Sequence, residues 1–155
     1  MQLRRAERRF KLNTRDYAEL AGFRRALREF LRFSEAAADE AGLTSRHYQA
    51  MLFLRACPDN QPVTINDLAQ ELLIKHNSAV ELVDRLAREG LVSRKPSTSD
   101  GRKVELRLST RGRQVLAKLA AMHCAELARI GPGLRRFFTD MSRADSSLGK
   151  PSPKR

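Results

Sequence analysis

Four cations, Arg94, Lys95, Arg102 and Lys103, bracket a short polar stretch in which Asp100 is the single acid. Guanidinium and ammonium groups around an exposed turn bind anions, and the planar arginine fork matches phosphate oxygens. Upstream, Lys75, His76, Asn77 and Ser78 stand together, with Glu81 and Arg85 following at helical spacing. An ammonium, an imidazole, an amide and a hydroxyl in one run can contact phosphates or base edges. Catalytic sets are harder to find. His47, His76 and His123 share no helix turn with one another or with a carboxylate pair, and Cys57 and Cys124 lie in no metal-binding spacing. His123 and Cys124 are adjacent, which places them on different helix faces. There is no glycine-rich phosphate loop. These residues predict a binding protein without cofactor or metal rather than an enzyme, with a structural role as the default for each histidine.

The whole chain agrees with an anionic partner. Its 155 residues make one domain's worth of protein and carry a formal net charge of +12. Charge of that sign and size points to nucleic acid or an acidic membrane surface. No apolar run approaches the roughly 18 residues of a membrane span. The N-terminal cations Arg4, Arg5, Arg8, Arg9 and Lys11 precede no apolar segment of the signal-peptide kind, so a cytoplasmic location is expected. That cluster either adds phosphate contacts or extends a helix as a solvated face.

The elements that must position these groups can be read from period and punctuation. Leu20, Phe23, Leu27, Phe30 and Leu31 give a helical stripe between Asp16 and Ala41, ended by Gly42. Thr44 starts a second helix through Arg55, with Tyr48, Met51, Leu52 and Leu54 as expected buried positions. Thr64 and Asp67 form a capping pair for a short helix, and residues 74–77 read as a turn. Ser78 and Glu81 then fit a capping box opening a helix to Glu89, with Val80, Val83 and Leu86 on its apolar face. Gly90 suits the left-handed position after that helix. Two capped helices around a tight turn predict a helix-turn-helix. Residues 91–95 and 104–108 then read as two strands, the second alternating Val104, Leu106 and Leu108 with Glu105 and Arg107. A helix capped by Ser109 or Thr110 is expected to run to Ile130, with Val115, Leu116, Leu119 and Leu127 apolar. Gly131-Pro132-Gly133 is expected to break it before a short helix carrying Leu134, Phe137, Phe138 and Met141.

This order of elements resembles the multiple antibiotic resistance regulator (MarR) family. The strings that carry the resemblance are Gly42-Leu43-Thr44 with Tyr48 and Leu52, Leu68-Ala69-Gln70-Glu71-Leu72, Leu82-Val83-Asp84-Arg85-Leu86, Glu89-Gly90-Leu91-Val92-Ser93-Arg94, Asp100-x-Arg102, and Leu108-Ser109-x-x-Gly112. The resemblance implies a mainly α winged helix-turn-helix, a two-stranded β wing, and a helical dimerisation region formed by the N- and C-terminal helices. The domain it implies covers 16–141, while composition reads 1–15 as a basic extension and 142–155 as a disordered basic tail. Within the domain the winged helix spans about 44–110, flanked by dimerisation helices at about 16–41 and 110–141. It also implies that the helix after the turn enters the major groove, and that Arg102, oriented by Asp100, reaches the minor groove.

The expected DNA-contacting set is therefore Lys75, His76, Asn77, Ser78, Glu81, Arg85, Arg94, Lys95, Asp100, Arg102 and Lys103. Some members have a second reading. Ser78 and Glu81 can cap their helix, and Arg85 can pair with Glu81 or Glu89 instead of a phosphate. Phe23, Phe30, Tyr48 and Phe53 are candidates for a small aromatic or phenolic effector pocket, or simply for core. The function expected is a homodimeric repressor of double-stranded DNA, binding a pseudo-palindromic operator and relieved by a small effector. An architectural DNA-coating protein without effector control is the alternative.

Overall fold

The computed structural model describes residues 12–58, 61–96 and 104–146, with side chains as far as residue 140. The elements are α1 (Thr14–Glu40), α2 (Ser45–Ala56), α3 (Ile65–Glu71), α4 (His76–Arg88), β1 (Val92–Pro96), β2 (Val104–Leu108) and α5 (Thr110–Ser146). They form two compact units, Phe33–Cys124 and a second made of Met1–Arg32 with Ala125–Arg155.

The Phe33–Cys124 unit holds the helix-turn-helix and the hairpin. Met51, Leu68, Val83 and Leu86 are its largest fully buried side chains, with Leu43, Tyr48, Leu106, Leu108, Leu116 and Leu119 packed around them. The strands pair antiparallel, Val92 opposite Leu108 and Pro96 opposite Val104. The Leu106 N–H also donates to the Val63 carbonyl at 2.8 Å, so the chain before α3 adds a third, one-bridge strand to the sheet. This hairpin is the wing.

Local chemistry sets the helix ends. Thr44 accepts from the His47 N–H at 3.3 Å while the His47 Nδ1 accepts from the Thr44 N–H at 3.0 Å. Thr64 and Asp67 form the same reciprocal box on α3. Gly42 and Gly90 sit at φ of 71° and 69°, and the residue after each bonds back five positions, Leu43 to the Ala38 carbonyl and Leu91 to the Leu86 carbonyl. The turn inside the helix-turn-helix closes identically, with Ile74 bonded to the Ala69 carbonyl, but its left-handed residue is Leu73 at φ 51°. A leucine there costs about 1 kcal/mol that a glycine would not. Its side chain is 92% exposed, so no packing offsets the strain.

The start of α5 is tied to the end of α4. Ser109 Oγ donates to the Gly90 carbonyl at 2.6 Å and accepts from the Gly112 N–H at 2.8 Å. A Cβ on Gly112 would collide with the Leu91 carbonyl oxygen, which accounts for glycine in the Leu108-Ser109-x-x-Gly112 string.

Several sequence expectations are corrected. Helix α4 begins at His76, not Ser78, with Lys75 as N-cap and no side-chain cap bond. Closure at Leu73 returns the chain to helical geometry early, so Ser78 is already inside the first turn and the Ser78–Glu81 box does not form. Leu52 is exposed, the buried face of α2 being Tyr48, Ala50 and Met51. On β2, Glu105 is buried with its carboxylate 3.6 Å from Arg107, whereas Val104 at the outer end is exposed. Leu127 is exposed as well.

The unit of 1–32 and 125–155 supplies the largest correction. Helix α5 runs through Gly131-Pro132-Gly133 without a break. Proline cannot donate to the carbonyl four residues back, and each glycine costs about 1 kcal/mol in a helix. Packing beyond the interruption overrides both: the rings of Phe137 and Phe23 stack at 4.7 Å, and Phe138 meets Phe23 edge-on at 5.8 Å. Arg15 pairs with Asp140 at 3.2 Å and Arg136 with Glu19 at 3.7 Å.

Candidate nucleic-acid interface

The first turn of α4 is built by the helix before it. Leu68 and Ala69 of α3 and Ala79, Leu82 and Val83 of α4 are buried, which holds the pair together. Lys75, His76 and Asn77 are left exposed at the open end, with Ser78 half-buried behind them. With no side-chain bond at the cap, the N–H groups of this first turn have no side-chain partner next to exposed Lys75. Such an end attracts anions through its unpaired donors and the helix dipole. Glu81, one turn along, is exposed and free of the capping role its spacing suggested.

The other cations differ in freedom. Arg85 makes an i,i+4 pair with Glu89 at 3.3 Å and approaches the Gly42 carbonyl at 3.5 Å. Arg94 on β1 is held by Asp84 of α4 at 2.5 Å. That pair joins the wing to α4, a contact that spacing does not reveal. Lys95 is exposed, opposite Glu105 in the ladder. Asp100, Arg102 and Lys103 lie outside the described residues, as do Arg4, Arg5, Arg8, Arg9, Lys11 and the tail after residue 146.

The aromatic candidates are distributed between the units. Phe23 and Phe30 belong to the 1–32 and 125–155 unit, where Phe23 is stacked on Phe137. Tyr48 and Phe53 belong to the other, where Tyr48 is buried and stacks on His123 at 4.1 Å. His123 is itself buried, with Nδ1 donating to the Leu119 carbonyl at 2.7 Å and Nε2 at 2.9 Å from Ser34 Oγ. Burial, and secondarily Cys124, pushes the Tyr48 phenol above its ordinary range. Burial likewise raises the Cys57 thiol, with Glu71 and Asp67 adding to it. Among the described residues no three His, Cys, Asp or Glu side chains cluster to hold a metal ion. No described helix is long and apolar enough to cross a membrane.

The sequence reading missed Asn66, whose Oδ1 lies 2.7 Å from His76 Nδ1, and Arg113, which donates to the Leu108 carbonyl at 2.9 Å. Residue spacing carried no signal for Asn66, because the contact crosses from one helix to the next. Arg113 lies within the turn after Ser109, where a local search for carbonyl partners would have found it.

Known proteins share this arrangement. Residues 41–103 match the MarR family model. The HTH-type transcriptional repressor YetL of Bacillus subtilis is 27% identical over 89 residues, 57% of this chain and 53% of that protein. The chain thus matches about half the length of that curated relative. Among solved structures, a MepR–DNA complex from Staphylococcus aureus superposes with a TM-score of 0.64 at 18% identity, covering 81% of this chain and 94% of that one. Apo MarR from E. coli gives 0.61 at 17% identity, covering 77% and 93%. CouR from Rhodococcus jostii bound to p-coumaroyl-CoA gives 0.64 at 23% identity, covering 84% and 91%. At these identities the solved structures establish the winged-helix fold, and the family model spans the helix-turn-helix and the first wing strand. Residues 41–103 are thus similar to the MarR family, and the chain shares the winged-helix fold of MarR and MepR.

Proposed function

We propose that this protein is a sequence-specific DNA-binding transcriptional regulator, a homodimeric repressor released by a small-molecule effector. The observation that carries the reading is the open start of α4, where Lys75, His76 and Asn77 stand exposed beside uncapped backbone donors. DNA phosphates and base edges supply the acceptors that this end lacks. The wing cations Arg94, Lys95, Arg102 and Lys103, with Asp100 orienting Arg102, extend the contact along the duplex. The repressor name of the Bacillus relative and the DNA in the MepR complex support the assignment. Exposed Tyr17, Leu31, Leu127 and Phe138 offer apolar surface for a second copy, and p-coumaroyl-CoA in CouR supports an effector that carries a phenolic group.

The test is footprinting on DNA selected from a random pool, with sedimentation alongside. A dimer is expected to protect one inverted repeat whose half-sites lie about one helical turn apart, roughly 34–36 Å. Arg102→Ala should weaken binding by about 1–3 kcal/mol and lower the slope of log affinity against log salt by about 2 per dimer. Uniform coating of unrelated DNA, or a folded monomer at low micromolar concentration, would overturn the reading.

A further inference from the structure

One side-chain contact at the start of α4 concerns how bases are read rather than whether DNA is bound. Asn66, near the start of α3, places Oδ1 2.7 Å from Nδ1 of His76, the first residue of α4. A carboxamide oxygen only accepts, so Nδ1 is the donor and carries the proton of the neutral ring. Nε2, at the outer tip of an exposed side chain, is then a lone-pair acceptor. Buried Leu68 and Ala69 on one side and Ala79 on the other fix the two helices that meet in this bond. The bond therefore orients the ring as well as selecting its tautomer.

We propose that Asn66 is a positioning residue that sets His76 in this tautomer, so that Nε2 accepts from an exocyclic amino group in the major groove. The proposal rests on α4 being the DNA-reading helix. In that groove the base donors are cytosine N4 and adenine N6, whereas guanine N7 and O6 and thymine O4 are acceptors. A fixed acceptor separates the first pair of bases from the second. Lys75 offers only donors, so His76 adds the polarity that its neighbour lacks.

Two measurements on the full chain test this. Long-range proton–nitrogen spectra of the free protein in mildly alkaline buffer should show the His76 proton on Nδ1. Asn66→Ala should shift it toward Nε2, and Asn66→Asp, which keeps an acceptor, should restore it. Next, each cytosine and adenine of the DNA selected by the wild type is replaced by 2-pyrimidinone or purine, which lack the amino group. One replacement per half-site should cost about tenfold in affinity, the net worth of a hydrogen bond. The same replacement should cost little in His76→Ala and Asn66→Ala, with discrimination regained in Asn66→Asp. A wild-type proton on Nε2, or equal losses in wild type and variants, would overturn the proposal while leaving DNA recognition intact. A pool that yields no preferred sequence would overturn the recognition reading and this proposal with it.

Discussion

Helices α3 and α4 stand next to each other in the chain, and they begin in opposite ways. At α3, Thr64 and Asp67 satisfy each other's backbone donors at 3.3 and 2.8 Å, and the end is closed. At α4, Lys75 takes the cap position in the same extended geometry but makes no side-chain bond. A cap of the Thr64 kind contributes about 1 kcal/mol, so its absence is a stability forgone. The helix that anchors the motif is finished internally. The helix that faces outward leaves its donors for something else. On the reading proposed above, stability and recognition fall to different ends of one motif, and substitutions at the two ends should act on different measurements.

The largest effect is expected from closing the open end. In Lys75→Asp a carboxylate at the cap position can accept from the first turn as Thr64 does on α3. Stability should rise by about 0.5–1 kcal/mol, while DNA affinity falls by about 1–3 kcal/mol because an anion replaces a cation. Denaturation and fluorescence anisotropy should move in opposite senses. Unchanged affinity would mean that this end does not meet DNA.

Opening the closed end is the converse. Thr64→Ala should cost about 1 kcal/mol in urea denaturation. Its DNA affinity, measured where the protein is fully folded, should stay near the wild-type value.

A second closed end, at α2, makes the comparison depend on pH. Burial holds the His47 ring below its ordinary pKa, with the Arg85 charge adding to this and Glu89 opposing it. A proton on Nδ1 would also remove the acceptor that Thr44 needs. Because the folded-state pKa is the lower one, the stability is present above about pH 6.5, the unfolded value, and declines as the pH falls below it. Denaturation midpoints should therefore drop between neutral and mildly acidic buffer. His47→Gln, which keeps an acceptor without a titrating proton, should flatten that part of the profile. An unchanged profile would remove His47 from the account.

Ser78→Ala should have the smallest effect on stability, within about 0.5 kcal/mol. A loss near 1 kcal/mol would restore Ser78 as the cap and shorten α4 to the span its sequence suggested.

That last case shows where sequence reading succeeds and fails. Thr44, Thr64, Gly42 and Gly90 were legible because each acts on neighbours within a turn. The start of α4 was misread because Ser78 and Glu81 carry a local signal that a competing one defeats: the turn closes at Leu73, a residue type that does not advertise a positive φ. The continuity of α5 was hidden because Gly131-Pro132-Gly133 is a local breaker overruled by Phe23, far away in sequence. In the candidate site, Lys75, His76 and Asn77 were legible by residue type, whereas their hydrogen-bonding state depends on Asn66 and the missing cap. Arg94 was read as one of the DNA-contacting cations around the wing, and the Asp84 that holds it lies on another element.

The knot of bonds at Ser109 has a consequence for how this molecule can vary. Ser109 joins Gly90, Leu91 and Gly112 where the two strands leave the body, so the hairpin is shut at its base whatever connects its far ends. Insertions between Pro96 and Val104 then add only loop-closure entropy, about 0.6 kcal/mol for each doubling of length. The length between the strands is therefore open to change without disturbing the body of the unit. The base has no such latitude: Gly112→Ala would drive a methyl group into the Leu91 carbonyl and release the hairpin at its root.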